Sequence, residues 1–254
     1  MNENMKKYLV TLFVICLTTS AFAVDLPKQG FGMQIGWAQP TLRVNDPSTK
    51  DSLSHHLRFH GFKVGVVYDG SFAAGFGASM GLNYTFGVYN SGWESRNPTY
   101  GDYPKDRQWI TYNELELFVD WQYKFEVAKE TYLILYTGPT IQCGLTLDWR
   151  KDTKDDITGE VVTVPGDAMD AYKIDADDQT KVDGYIMADH AIKRINVTWG
   201  VGAGFQYRRY FLRGGYDFGL INPFKNSDFT SGVHTRGRFD QWEIKIGMYF
   251  WYAD

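Results

Sequence analysis

Large apolar or aromatic residues recur at every second position over long stretches of this chain. The last stretch shows it most plainly. From Gln241 to Tyr252, Trp242, Ile244, Ile246, Met248, Phe250 and Tyr252 alternate with positions that include Glu243, Lys245 and Gly247. A period of two gives a strand one greasy face and one polar or vacant face. An ordinary soluble strand is only about 5–6 residues long. A strand of roughly 9–11 residues flanked by interfacial aromatics crosses a bilayer, and this run is long enough to do so.

The same alternation predicts seven earlier strands. The first carries Phe31, Met33, Ile35 and Trp37, and the second Phe62, Val64, Val66 and Tyr68, with Asp69-Gly70 read as the hairpin turn that ends it. The third sets Phe76 to Val88 on one parity against Gly75 to Gly87 on the other. The fourth sets Leu115, Leu117, Val119, Trp121 and Tyr123 against Glu114, Glu116, Phe118, Asp120 and Gln122. The fifth places Leu133, Leu135, Ile141, Cys143, Leu145 and Leu147 together, but Thr137 and Pro139 interrupt that face, so a bulge or register break is expected near Gly138. The sixth runs Val197 to Tyr207 and the seventh Phe211 to Leu220.

Long polar connections (about 45–57, 90–106, 151–191 and 222–236) alternate with short reversals at Asp69-Gly70, near Ala128 to Glu130, and at Arg208-Arg209. Within the third long connection, Ile157 to Val164 and Ala171 to Ile174 are expected to form a small projecting hairpin. Eight strands with long loops at one end and short turns at the other predict an all-β, eight-stranded, antiparallel up-and-down transmembrane β-barrel.

Composition sharpens this picture. Glycine is abundant at 26 residues and aromatics make up 17%, while the mean hydropathy is negative. No bundle of membrane helices is therefore present, but a barrel hides from window averages because its polar and apolar residues alternate. The net charge of −4 argues against a nucleic-acid partner. Residues 1–23 read as an export signal: Lys6-Lys7, an apolar core from Tyr8 to Leu17, and Ala21-Phe22-Ala23 as the cleavage motif. Removing them takes out two Lys and one Glu and leaves the barrel domain, 24–254, at −5 with Cys143 as its single thiol.

An eight-stranded cylinder has room inside only for side chains. The aromatic parity cannot fit there, so the glycine-and-charge parity is expected to point inward and the greasy parity to meet lipid. The inward charges are Lys63, Glu114, Glu116, Asp120, Arg213, Asp217, Glu243 and Lys245. They are expected to pair and plug the lumen, because an unpaired buried charge is costly. The soluble rival is a lipocalin-like cup with the greasy parity inside; it would leave glycine and charge to cover the outside.

The Lys-Lys signal, the eight aromatic-rich strands and the final aromatic strand resemble the small outer-membrane β-barrel proteins, particularly the PorT-like or OmpW/OmpX-like barrel domains common in Bacteroidetes. The resemblance covers nearly all of the mature chain and is one of pattern rather than of a residue motif. It implies the cell outer membrane as location, outer-membrane lipids and lipopolysaccharide as surroundings, and the barrel-assembly machinery as a partner during insertion. The expected molecule is a monomer without enzymatic activity or cofactor, with a structural or surface-interaction role carried by its outer loops.

Three other readings compete with this one. A lipid A-modifying barrel enzyme would need a His–Ser pair, for which His60 with Ser54 or Ser79 offers the best pattern among His55, His56, His60, His190 and His234. Solvated loop histidines are the simpler reading. Asp175, Asp177, Asp178 and Asp183 could offer oxygens to calcium but lack an EF-hand pattern, and no metal is expected. A small channel or transport role would require the lumen charges to line a path rather than pair.

Overall fold

The computed structural model describes residues 29–45, 56–73, 75–92, 94–95, 105–154, 159–167, 192–224 and 236–253. The expected signal segment, His55, Ser54, His190, His234 and the acidic cluster at 175–183 lie outside the described residues. The strands are β1 (Gln29–Asn45), β2 (His56–Arg58), β3 (His60–Ala73), β4 (Phe76–Asn90), β5 (Glu94–Ser95), β6 (Lys105–Ala128), β7 (Thr131–Lys154), β8 (Val161–Asp167), β9 (Ile195–Tyr207), β10 (Tyr210–Gly219) and β11 (Arg236–Ala253).

Eight of these close into a ring, each antiparallel to its neighbours, in the order β6-β4-β3-β1-β11-β10-β9-β7 with β7 returning to β6. The first and last strands close the cylinder, with Met33 opposite Met248, Ile35 opposite Ile246 and Trp37 opposite Ile244. Closure satisfies the backbone without a free edge, the condition for crossing lipid with strands. The greasy parity faces outward: Phe62, Leu117, Trp121, Ile246 and Phe205 are all about half exposed, whereas Lys63, Glu116, Arg213 and Lys245 are buried in the bore. Such an apolar belt around a closed eight-stranded cylinder is the architecture of an outer-membrane barrel. The lipocalin-like alternative, which needs the opposite facing, is excluded.

Short turns join β3 to β4, β6 to β7 and β9 to β10 at one end; the long connections lie at the other, hereafter the outer end. Glu130 and Arg208 hold positive φ in two of those turns (59° and 53°), and Arg208 Nε lies 2.6 Å from Glu130 Oε2, so two adjacent reversals brace each other.

The structure corrects three expectations. Asp69-Gly70 does not turn; β3 continues to Ala73 and the reversal falls at Gly75, which has φ of 90°. The ladder between β6 and β7 skips Val119 and Asp120 beside Gly138 but resumes in the same register, and the shifts fall instead at Glu126/Ala128, beside the turn, and at Asn113/Glu114, opposite Gly144 and Thr146. Gly138 is needed there because a Cβ would strike the Val119 carbonyl. Beyond the shift the β7 parity reverses, so Leu147 is 2% exposed and points into the bore rather than to lipid. Val161–Asp167 pairs with the outer extension of β7, Asp148 to Lys154; the 171–174 half of the expected hairpin lies outside the described residues.

Thr137, polar on the lipid-facing parity, is satisfied locally. Its hydroxyl donates to the Gly200 carbonyl at 2.8 Å and accepts from Trp199 Nε1 at 2.9 Å.

Candidate functional site

The bore is the first candidate. Its inward residues come from all eight strands of the ring, whose alternate positions are largely small or polar. Near the short-turn end, Asp69 on β3 gathers Lys124 (3.0 Å), Arg213 (3.1 Å), Gln122 (2.7 Å) and the Tyr249 hydroxyl (2.7 Å). Arg213 also donates to Ser79 at 2.9 Å and to Gln122 at 3.0 Å. Above this group, Lys63 donates to Glu116 and Glu243 at 2.6 Å each, and Glu243 also pairs with Lys245. Glu116 accepts further bonds from Thr85, Asn83 and Gln241.

The structure thus divides the expected charge set. Lys63, Glu116, Glu243 and Lys245 form one cluster, and Arg213 belongs to a second one centred on Asp69. Glu114 accepts from the Tyr112 hydroxyl and is hydrogen-bonded to Glu116, so it adjoins the first cluster. Asp120 and Asp217 are buried but make no hydrogen bond or ion pair among the described residues. Lys124 was missed because it lies past the expected end of its strand, although its even number puts it in phase with Glu114 and Asp120. Asp69 was on the inward parity, but its Asp-Gly pairing drew it to a turn.

Towards the outer end the bore changes character. Leu42, Leu57, Phe59, Ile110, Tyr112, Leu147, Trp149, Ile192, Phe224 and Phe239 pack into an apolar layer inside the barrel. Tyr112 and Phe239 have ring centroids 5.3 Å apart, and Phe59 and Tyr112 5.7 Å. Ile192 and Phe224 come from the chain before β9 and after β10, bridge each other, and fold over the mouth. Phe224 lies directly on Gly237, where any Cβ would collide with its ring. This layer departs from the expectation of a bore filled by glycine and charge alone.

The second candidate lies on the outward face beyond the apolar belt. Asp240 is fully buried between Arg43 (Nε to Oδ2, 3.0 Å) and Arg238 (Nε to Oδ1, 2.7 Å), whose side chains are 41% and 45% exposed. The Tyr216 hydroxyl donates to Asp240 at 2.9 Å, and the Tyr216 ring packs 4.6 Å from that of Trp242. On the β6/β7 extension, Asp152 is likewise buried, with Arg107 at 2.8 Å, Arg150 at 3.2 Å and the Thr163 hydroxyl of β8 donating at 2.9 Å. Burial alone would raise the Asp152 carboxyl; the hydrogen bonds from Arg107 and Thr163 and the two guanidinium charges outweigh it and hold the group below the ordinary aspartate range. Both arginines approach the face of Trp109 at 5.1 and 5.8 Å.

The alternative His–Ser pair does not form between His60 and Ser79. His60 is exposed on the outward face beside Trp37, while Ser79 is buried in the bore. His60 is level with Val88, nine positions along β4 from Ser79, roughly 30 Å at about 3.3 Å per residue. Among the described residues no group of His, Cys, Asp and Glu is placed to hold a metal ion.

No family model matches the sequence, and no curated protein is similar to it. Solved structures that it resembles include Ail, the attachment invasion locus protein of Yersinia pestis, at 12% identity over 89% of this chain and 100% of that one, with a TM-score of 0.35. Neisserial surface protein A gives 10% identity over 87% and 97%, with a TM-score of 0.38. The translocator domain of the autotransporter NalP from Neisseria meningitidis gives 8% identity over 97% and 96%, with a TM-score of 0.25. At such values the likeness says nothing of activity, and the assignment of the fold rests on the strand order and facing given above.

Proposed function

We propose that this protein is a non-conducting outer-membrane barrel that holds an interaction surface above the membrane. The observation that carries this is the filling of the bore: cross-strand ion pairs in its inner part and an apolar layer at its outer end. A cylinder filled this way offers solutes no water path. What it does offer is rigidity, beneath a β6/β7 pair of 24 residues each that continues past the belt and gains β8 as a further strand.

The working surface is then the outer connections, above all 151–191, with the outer-leaflet lipids and lipopolysaccharide as immediate surroundings. The barrel acts as a monomer, is inserted by the barrel-assembly machinery, and carries neither catalytic group nor cofactor. Kinship with PorT-like or OmpW/OmpX-like barrel domains is supported by strand pattern alone. The test is to replace 156–190 by a short Gly-Ser link. The barrel should still show the heat-dependent gel shift of a folded cylinder, while cells carrying it lose binding to surface glycans or matrix proteins that cells with the full chain bind. Unchanged binding would remove the role of the loop.

A further inference from the structure

The two Arg–Asp–Arg groups at the outer end repeat one device, and neither is explained by the filled bore. In each, a buried carboxylate lies between two arginines on neighbouring strands that leave part of their guanidinium groups at the surface. Arg43 and Arg238 are direct cross-strand partners, and Trp109 is opposite Arg150 as Arg107 is opposite Asp152. The two seams, β1/β11 and β6/β7, are separated by β3 and β4 on one side of the ring and by β10 and β9 on the other. They therefore stand on opposite sides of the barrel.

A single carboxylate cannot neutralise two guanidinium groups, so the Arg43–Asp240–Arg238 group keeps net positive charge. Asp240 takes one edge of each arginine. Among the described residues, neither Nη nitrogen of Arg238 and not the Nη1 of Arg43 has a hydrogen-bond partner. Those donors are fixed in direction by Asp240 and by Tyr216, whose ring packs edge-on against Trp242 at the edge of the apolar belt. Aromatic residues of that kind mark the level where hydrocarbon gives way to headgroups, so the arginines just beyond stand among the headgroups. Planar guanidinium forks held in place suit phosphate oxygens, which they bind by paired, charge-assisted hydrogen bonds.

We infer that the two Arg–Asp–Arg groups are clamps for the phosphates of the phosphorylated glycolipid, lipopolysaccharide, in the outer leaflet. The buried aspartates are positioning residues and the four arginines make the contact. Two clamps on opposite sides fix the barrel in the leaflet at two points, which sets its depth and tilt and hence the height of the β6–β8 extension. The inference rests on the membrane reading and adds to it the lipid class and the residues that hold it.

Full-length protein in nanodiscs of lipopolysaccharide and phosphatidylglycerol, released into the gas phase for native mass spectrometry, provides the test. Wild type should retain lipopolysaccharide. A variant with Arg43→Gln, Arg238→Gln, Arg107→Gln and Arg150→Gln should retain at least tenfold less, and lipid A stripped of its phosphates should be lost equally from both proteins. Arg43→Gln with Arg238→Gln alone should give a severalfold loss, which keeps the test in hand if the fourfold variant does not fold. Equal retention by variants with an intact heat-dependent gel shift would overturn the clamps and leave the membrane barrel standing. So would equal retention of phosphate-free lipid A, or displacement by phosphatidylglycerol or inorganic phosphate at equal concentration. Failure of the wild type to enter the bilayer would overturn the membrane reading itself.

Discussion

Lys63 Nζ lies 2.6 Å from Glu243 Oε2 and so joins β3 to β11 across the intervening β1. The same ammonium reaches Glu116 on β6 across β4 at 2.6 Å. These bonds tie strands that share no backbone ladder, so the bore contributes to stability in a way that ladder pairing cannot. Lys63→Met leaves Glu116 buried without its cation and Glu243 with Lys245 alone, and breaking a buried pair this way costs about 3–5 kcal/mol. Urea unfolding followed by the gel shift of the folded barrel should show a midpoint lowered accordingly. An unchanged midpoint would mean that water already compensates these carboxylates.

Asp217 provides the contrast. It is buried, faces the bore, and has no ion pair or hydrogen bond among the described residues, although its Oδ1 packs onto Gly200. Removing a buried carboxyl that no hydrogen bond or close ion pair holds relieves a desolvation cost that the more distant Lys63 and Lys245 offset only in part. Asp217→Asn should therefore leave the unfolding midpoint equal to wild type or raise it, whereas Asp69→Asn should lower it. The two variants measured side by side under one protocol decide the matter.

Ile246 is 55% exposed on the belt and Phe239 is 7% exposed in the outer layer of the bore. The account predicts opposite tolerances at the two sites. Ile246→Arg should hinder insertion by roughly 2–4 kcal/mol near the midplane, while Ile246→Ala should be mild. Phe239→Ala should cost about 3–5 kcal/mol by opening a cavity inside the apolar layer. Refolding into vesicles of defined thickness gives both numbers. Normal insertion of Ile246→Arg would reverse the facing.

These contrasts show where the sequence could be read and where it could not. Alternation over Phe76 to Val88 and Trp242 to Phe250 specifies both strand and facing, because a one-residue slip would turn every side chain to the wrong side. Local composition is weaker evidence once tertiary contacts compete with it. Asp69-Gly70 has the chemistry of a turn, yet Asp69 is the hub for Lys124 and Arg213 and the strand runs past it. Leu147 keeps the numerical parity of Leu145, but the shift opposite Asn113/Glu114 turns it inward. The outer layer escaped notice because its members come from seven separate stretches and none is unusual in its own stretch; only closure of the ring brings them together.

At the β6/β7 extension, Asp152 gives a dependence on pH with a definite sign. Its carboxyl is held below the ordinary value of 3.8 in the folded chain, so it supplies stability that is present in full above 3.8 and is lost as pH falls from there through the folded value. The Thr163 bond is part of that, so β8 should loosen first. Amide exchange of Val161–Asp167 followed from pH 6 downward should accelerate only below about 4, relative to the rest of β7. Asp152→Asn should abolish that pH dependence.

The claim on which the rest depends is that the bore is shut. Planar-bilayer recording of the purified wild-type protein should show no stable open state. Replacing Lys63, Glu116, Arg213 and Phe239 together by Ala should produce discrete conductance steps from the same barrel. Stable single-channel steps from the wild type would contradict the account and would make the buried charges the lining of a path.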